Sequence, residues 1–425
     1  MYALCDANSF YASCEKVFDP SIRNKPVVVL TNNDGCICAA CHIAKRVGVG
    51  KKFVPYFQVA AQLRQAGAVI RSSNYELYAD LSQKMMDVCA RFAPIQHIYS
   101  IDECFLKFTS NEYRLPGVAQ AENWFDYARH IRRAVWQQVR LPIGVGIGET
   151  PTLAKAANHA AKRLPGFRGV AVIDSETKRR QVLSQMALTD VWGIGSRLAK
   201  RLAMMGIKNA LQLSNCNPNL MRKSFSVVME RTVRELNGEV CLSWDDVRAN
   251  KKEIFSTRSF GQRVQGKSEL RLALSRHAAI AAEKARKQQS LVSQMVIFAS
   301  NSPHDQHYYK QSQLQRFVIP TNDSRYICQA AAQAADTIYQ PGVLFYRCGV
   351  GLLELVDEQH YQHDLFHPST DNQKLMQCLD QINQRYGNET LQLAGQGIVR
   401  PWTMKRQFLS PQYTTRWRDI PKIQC

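Results

Sequence analysis

The sequence has no apolar run long enough to cross a membrane. Its longer runs, such as Pro26-Val27-Val28-Val29-Leu30, fall far short of the ~20 residues a spanning helix needs. The N-terminus, Met1-Tyr2-Ala3-Leu4-Cys5-Asp6, lacks a basic leader segment and carries an acid at once, so a signal peptide is not expected. Cysteine is present but in an odd number, 13, scattered along the chain, which argues against a disulfide framework. Internal repeats and low-complexity tracts are also missing. Acidic residues are the scarcer charge, 35 against 55 Lys plus Arg, for a net +20. What is there is globular material: 45% hydrophobic and 21% charged residues exclude wholesale disorder. At about 150 residues per domain, 425 residues make three or four domains. A soluble, cytoplasmic, multidomain protein is expected.

The position of the charge is more informative than its sum. Residues 1–150 carry +4, residues 151–250 and 251–350 carry +8 each, and residues 351–425 are neutral. The middle of the chain thus has the electrostatic footprint of a polyanion binder, the alternative being a solvated basic surface with no partner. The dispersed basic residues do not form the compact amphipathic cluster of a membrane-surface helix.

The first ~165 residues alternate strand and helix, which predicts a sheet with helices on one face. Strands are expected at 2–5, 27–30, 98–101, 104–108 and 143–147. Helices are expected after Asp6, over 73–92 with Ser73 as N-cap, over 119–139 and over 151–163. Residues 188–213 read as helical around a Gly-Ile-Gly turn. Residues 251–350 read as strands around helices at 267–289 and 324–339, with 237–250 as the interdomain connection.

Three carboxylates stand at strand ends: Asp6, and Asp102 with Glu103. Consecutive strand residues point to opposite faces, so an Asp-Glu pair can serve one site only at a turn or strand end, which Ser100-Ile101-Asp102-Glu103 permits. Such a set suits oxygen-seeking Mg²⁺, and two ions ~3.5–4 Å apart would serve phosphoryl transfer. The alternative is a helix cap at Asp6 and a solvated turn at Asp102-Glu103. Two basic clusters, Lys45, Arg46, Lys51 and Lys52, and Lys155, Lys162 and Arg163, could hold a triphosphate or simply face solvent. Val191-Trp192-Gly193-Ile194-Gly195-Ser196-Arg197-Leu198-Ala199-Lys200 reads as a helix-hairpin-helix, whose glycines let backbone N–H groups approach a nucleic-acid phosphate. No Gly-Lys-Ser/Thr follows, which excludes a P-loop, and no βαβ unit contains the glycines, which excludes a dinucleotide fold. Cys38-Ala39-Ala40-Cys41-His42 matches a haem-attachment pattern, but neither an export signal nor a second metal-ligand cluster supports a cofactor there.

Asp6-Ala7-Asn8-Ser9-Phe10-Tyr11-Ala12-Ser13-Cys14-Glu15, Tyr99-Ser100-Ile101-Asp102-Glu103, Gly144-Val145-Gly146-Ile147 with Leu153-Ala154-Lys155, and Val191 to Gly195 occur in the order seen in Y-family translesion DNA polymerases. The chain resembles that family end to end. The blocks Ser72-Ser73-Asn74-Tyr75-Glu76-Leu77-Tyr78-Ala79-Asp80 and Leu409-Ser410-Pro411-Gln412-Tyr413-Thr414-Thr415-Arg416 point to its UmuC-type branch.

The resemblance implies an α+β multidomain chain folded as a right-handed polymerase. Its parts would be a palm (1–30 and 74–166), fingers (31–73), a helix-hairpin-helix thumb (167–240), an α/β little finger (241–350) and a C-terminal segment (351–425). It implies error-prone, template-directed synthesis past damaged bases in an SOS-type response. By position, Asp6, Asp102 and Glu103 would be the catalytic metal carboxylates for two Mg²⁺ ions, with the carbonyl of Ala7 a further ligand. Tyr11 would be the steric gate against a 2′-hydroxyl, with Phe10 beside it, and Lys45 and Lys162 would contact the dNTP. Gly193, Gly195, Arg197 and Lys200 would hold the backbone of primer-template DNA. Gln362, Asp364, Leu365 and Phe366 resemble a motif for the bacterial sliding clamp, the alternative being a loop tucked into its own core. A processed UmuD-like dimer and a RecA filament would be further partners, and the active enzyme would be nucleoid-associated. Ala40, Cys41, His42 and Lys45 depart from the residues common in the wider family, and Lys45 gives up the bidentate phosphate grip of an Arg. Two other readings remain at this point: a polymerase-shaped scaffold without catalysis, and a helix-hairpin-helix nuclease.

Overall fold

The apolar opening of the chain forms β1 (Tyr2–Ala7), followed by the short helix α1 (Phe10–Glu15). A small sheet comes next, built from β2 (Val27–Leu30), β3 (Ile37–Ala40) and β4 (Val69–Ser72), with helices α2 (His42–Arg46) and α3 (Tyr56–Gln65) between the last two strands. The chain continues through α4 (Tyr75–Ala90), β5 (Ile95–Ile98), β6 (Glu103–Lys107), α5 (Trp124–Val139), β7 (Ile143–Gly148), α6 (Pro151–Arg163) and β8 (Val170–Ile173). Helices α7 (Glu176–Ser184), α8 (Ser196–Met204), α9 (Ala210–Ser214), α10 (Pro218–Ser224) and α11 (Val227–Leu236) pack around one apolar cluster that includes Leu183, Leu202, Leu213 and Val233. The structure is a computed structural model that describes residues 1–109, 121–243, 250–362, 366, 369–387, 389–398 and 403–421.

These elements, together with residues 406–425, form the first of two compact units; residues 249–405 form the second. The main sheet of the first unit has the order β5-β6-β1-β7-β8, antiparallel except for the β7–β8 pair. Alternation along its strands separates two faces. Ala3, Cys5, Val145 and Ile147 join the core with α4 and α5, whereas Gly144, Gly146 and Gly148 turn toward α6. Helices therefore cover both faces, not the single face expected from the sequence. The glycines are the reason, because a Cβ on Gly146 would lie 2.0 Å from the backbone nitrogen of Asn158 and one on Gly148 2.7 Å from Leu153. Only a strand without side chains at these positions lets a helix backbone come so close.

Other expectations are corrected by pairing. β2, assigned with the palm at 1–30, is the central strand of the small sheet, between β3 and β4. The expected palm boundary at 166 precedes β8, which pairs with β7 in the main sheet. The N-cap of α4 is Asn74, whose side chain accepts from the Leu77 N–H, while the Ser73 hydroxyl donates to the Leu30 carbonyl.

The second unit is a βαββαβ run: β9 (Ile254–Val264), α12 (Lys267–Lys287), β10 (Ser290–Ser300), β11 (Lys310–Thr321), α13 (Ser324–Ile338) and β12 (Phe345–Asp357). Its antiparallel sheet, in the order β11-β10-β12-β9, buries Val292, Ile297, Val350 and Leu352 against α12 and α13. The expected break at 350 cuts through β12, which runs to Asp357. The expected C-terminal segment is itself divided. Helix α14 (Gln373–Tyr386) anchors to the second unit through the Asp380–Arg286 ion pair (2.7 Å), whereas residues 406–425 belong to the first.

Candidate active site

The β1–β6 register sets Asp6 directly opposite Glu103, and opposed residues of an antiparallel pair share a face. Asp102 lies one residue before β6, in the bend from Ser100 to Asp102, so it escapes the alternation that would send it to the opposite face. That bend is held at several points. The Ser82 hydroxyl donates to the Ile101 carbonyl (2.5 Å), the Ser100 hydroxyl to Asp102 Oδ1 (2.6 Å), and the Ala7 N–H to the Asp102 carbonyl (2.8 Å). All three carboxylates and Ala7 line one cleft of about 1640 Å³.

Helix α6 delivers cations to them. Its Asn158 is buried, and the side-chain amide donates to the carbonyls of Leu4 (3.1 Å) and Gly144 (2.9 Å), stapling the helix across β1 and β7. Four residues on, Lys162 Nζ lies 2.5 Å from Asp6 Oδ1. Lys155 Nζ lies 3.1 Å from Glu103 Oε1 and over the rings of Tyr99 and Trp192. Burial pushes the Asp6 carboxyl above the ordinary value; Lys162 pulls it back and the Asp102 charge adds to the rise. Glu103 is likewise raised by burial, lowered by Lys155, and raised by Asp6 and Asp102. Three hard oxygen donors gathered at one end of the cleft, two of them raised by burial and by their neighbours' charge, are a fitting set for divalent cations.

The opposite side of the cleft is aromatic and cationic. Tyr11 on α1 stacks on Tyr78 of α4 (4.6 Å between centroids, 15° between planes) and meets Tyr75 edge-on at 6.1 Å. Phe10 is buried beside it. Burial pushes the Tyr11 hydroxyl up to about 12, so it stays protonated at neutral pH. Lys45 Nζ donates to the Ser9 hydroxyl (2.9 Å). Its pKa is lowered by burial and then by the positive charges of Lys52, Arg163 and Lys162, contributed by separate segments. Cations crowded until they repel one another form a seat for a polyanion. His42 lines the same cleft, its pKa lowered by burial and by Lys16, Arg46 and Lys45.

Gly193, in the left-handed region at φ +84°, and Gly195, the N-cap of α8, form part of the cleft's rim. Arg197 and Lys200 are exposed on α8 outside the lining, with no ion pair among the described residues. Of the clamp-type motif, Gln362 and Phe366 are described, Phe366 at 87% exposure, whereas Asp364 and Leu365 lie outside the described residues. The Cys38-x-x-Cys41-His42 thiols serve the fold: Cys38 donates to the Val29 carbonyl and Cys41 accepts from the Val27 N–H.

Sequence reasoning missed Asn158, the Tyr75 and Tyr78 backing of Tyr11, and a buried cluster of Cys5, Cys89 and Cys104 beneath the carboxylates. Asn158 lies in the helix expected at 151–163 but outside the quoted blocks, and Tyr75 and Tyr78 lie within the 72–80 block. The third needed the β1–β6 register, which sets Cys5 opposite Cys104.

Comparison with known proteins agrees with this geometry. The impB/mucB/samB family model matches residues 5–159, its helix-hairpin-helix model 177–207 and its C-terminal-domain model 251–365; a domain of unknown function matches 373–423. Protein UmuC of Salmonella typhimurium is 42% identical over the full length of both chains, and Protein SamB of the same organism 41% over 99% of each. DNA polymerase IV of Caulobacter vibrioides is 25% identical over 85% of each chain. Among solved structures, a Y-family DNA polymerase chimera of Dbh and Dpo4 aligns with 84% of this chain and 99% of its own at TM-score 0.62 and 20% identity. An insertion ternary complex of Dbh DNA polymerase aligns over the same shares at 0.52 and 21%. With these family models matched in order along the chain and Protein UmuC 42% identical over its full length, the chain belongs to the impB/mucB/samB family of Y-family DNA polymerases.

Proposed function

We propose that this protein is a translesion DNA polymerase that transfers a nucleotide from a dNTP to a primer 3′-hydroxyl opposite damaged template bases. The observation that carries this reading is the pairing of Asp6 with Glu103, and of both with Asp102 at the adjacent bend, in a cleft whose other wall is cationic. Asp6, Asp102 and Glu103, with the Ala7 carbonyl, would hold two Mg²⁺ ions. When bound, such ions lower the pKa of the attacking hydroxyl and stabilise the leaving pyrophosphate. Lys45, Lys52 and Arg163 bind the triphosphate. Lys162 lies between that seat and Asp6, where its charge serves both. Tyr11, braced by Tyr78, fills the space a ribose 2′-hydroxyl would need, and Phe10 supports it.

Primer-template DNA is held by its backbone, through the N–H groups around Gly193 and Gly195 and the charges of Arg197 and Lys200. The exposed Phe366 supports docking of residues 362–366 in a sliding clamp over packing into the protein's own core. The relationship to UmuC supports a processed UmuD-like dimer and a RecA filament as partners, a role in SOS-type mutagenesis, and a cytoplasmic, nucleoid-associated site of action. Among the described residues no helix is long and apolar enough to cross a membrane.

The test is Mg²⁺-dependent extension of a labelled primer past an abasic site, with clamp, accessory subunits and RecA filament supplied. The parent extends the primer and Asp102→Ala does not. Equal extension by both overturns the carboxylate assignment. No extension by either, with DNA still bound, makes the protein a non-catalytic scaffold.

A further inference from the structure

The two sequence blocks that distinguish this branch, 72–80 and 409–416, touch each other across more than 330 residues of chain. Asn74 is fully buried, and among the described residues its side-chain amide donates to the later block: to the Ser410 hydroxyl (2.9 Å), the Ser410 carbonyl (3.1 Å) and the Pro411 carbonyl (3.2 Å). Its carbonyl oxygen meanwhile caps α4. One turn into that helix, Tyr78 stacks on Tyr11 and donates its hydroxyl to the buried Glu15 (2.6 Å) at the end of α1, the helix that carries Tyr11. The Ser410 hydroxyl and the Arg71 guanidinium also act on the Glu15 carboxylate.

Other tail contacts reach the same place. Ser72 and Phe408 exchange hydrogen bonds, Phe408 N–H to the Ser72 hydroxyl (2.9 Å) and Ser72 N–H to the Phe408 carbonyl (3.0 Å). The Gln407 N–H donates to Asp34 (2.7 Å), and Arg406 pairs with Glu76 (3.0 Å). Phe408 meets Tyr56 edge-on, and Tyr413 stacks on Phe18 at 5.0 Å. Ser72, Asn74 and Glu76 lie at the end of β4 and the start of α4, Glu15 and Phe18 at and just after the end of α1, while Asp34 and Tyr56 belong to the turn after β2 and the start of α3. Of these elements, α1 and α4 carry the Tyr11–Tyr78 stack.

We propose that residues 406–413 form a positioning strap for the sugar-selecting tyrosine. The final part of the region matched as a domain of unknown function thereby fixes the backing of Tyr11 from behind, without lining the cleft. Ser410 is a positioning residue: its hydroxyl accepts from the Asn74 amide and acts on the Glu15 carboxylate, so it ties the start of α4 to the end of α1, and its loss leaves the amide to the Ser410 and Pro411 carbonyls alone. A loosened α4 start lets Tyr78 and Tyr11 shift, and a gate that works by steric clash tolerates little displacement. The proposal rests on the polymerase reading for what Tyr11 selects, but not for what the strap holds.

The test compares the full-length parent with Ser410→Ala, and with a chain ending at Lys405 as the stronger perturbation. Two readouts are taken: the kcat/KM ratio for ribonucleotide against deoxyribonucleotide insertion on undamaged primer-template, and hydrogen–deuterium exchange over 9–16 and 72–78. Ser410→Ala is expected to raise the ribonucleotide ratio about tenfold, the scale of one lost buried hydrogen bond, with faster exchange in those segments. A general folding defect lowers both insertion rates together and leaves the ratio unchanged, which overturns the proposal. Parental ratio with parental exchange overturns it too. If the parent inserts no nucleotide, the polymerase reading fails, and exchange alone decides: acceleration confined to 9–16 and 72–78 upholds the strap, and unchanged exchange refutes it.

Discussion

The two large sheets are built from the same parts and used in opposite ways. The five-stranded sheet of the first unit is covered on both faces, by α4 and α5 on one side and α6 on the other. Its proposed catalytic carboxylates, Asp6 and Asp102-Glu103, sit where strands end, and Lys155 and Lys162 reach them from the packed helix α6. The four-stranded sheet of the second unit carries α12 and α13 on one face, and among the described residues its other face presents the exposed Phe255, Leu314 and Arg347. Glycines mark the contrast. In the first sheet they admit a helix backbone, whereas Gly349 and Gly351 in the second lie under the Thr257 and Phe255 side chains of the neighbouring strand. A sheet clamped from both sides can hold reacting groups to fractions of an ångström, and a half-covered one offers a surface.

The contrast can be broken at its strongest point. Gly146→Ala forces a Cβ against the backbone of α6, so the first unit should lose several kcal/mol, on the order of 3 or more, and insertion activity with it. Thermal unfolding and single-nucleotide insertion read both. In the nucleotide seat, Lys45→Ala should raise the dNTP KM by about 10- to 100-fold and leave DNA affinity near the parental value.

Acid should act on the second unit. Burial, and then the charges of Arg258, Arg276 and Lys284, push His277 down to about 4, while its Nδ1 is 2.9 Å from the Ser256 hydroxyl. The folded unit keeps it neutral, whereas the unfolded chain takes a proton below about 6.5. Stability is therefore full above that pH and falls by about 3 kcal/mol as pH drops toward 4, a loss His277→Gln should remove from the unfolding curve. Gly351→Ala, the counterpart of the first substitution, meets a half-exposed Phe255 ring that can swing aside, and should cost about 1 kcal/mol or less. The smallest effect is expected from Arg197→Ala, which should weaken DNA binding uniformly across sequences and reduce the salt slope by about one.

Much of this was legible in the residues. The helix at 151–163, the strands around Asp6 and Gly144, and the need for a bend at Asp102 all follow from local patterning, because capping, alternation and turn chemistry act over a few residues. What stayed hidden depends on register and long-range closure. Nothing local says that Lys162 ends on Asp6, since that position is set by how deeply α6 settles on the glycine strand. Asn158 reads as an ordinary helical Asn until β1 and β7 come beneath it. The expected breaks at 30, 166 and 350 fall at or inside paired strands because a strand's allegiance is decided by its pairing partner, which for β2, β8 and β12 lies elsewhere in the sequence. The Asn74–Ser410 contact joins blocks that were conspicuous separately and whose connection only the fold supplies.

The most direct test of the carboxylate site is the Mg²⁺ dependence of single-turnover dNTP insertion by the parent and by Glu103→Gln on undamaged primer-template. The account predicts insertion slower by about 10³-fold, a Mg²⁺ requirement raised at least about tenfold, and unchanged DNA affinity. Parental rate at the parental Mg²⁺ requirement would contradict it, because Glu103 would then stand opposite Asp6 without sharing its chemistry.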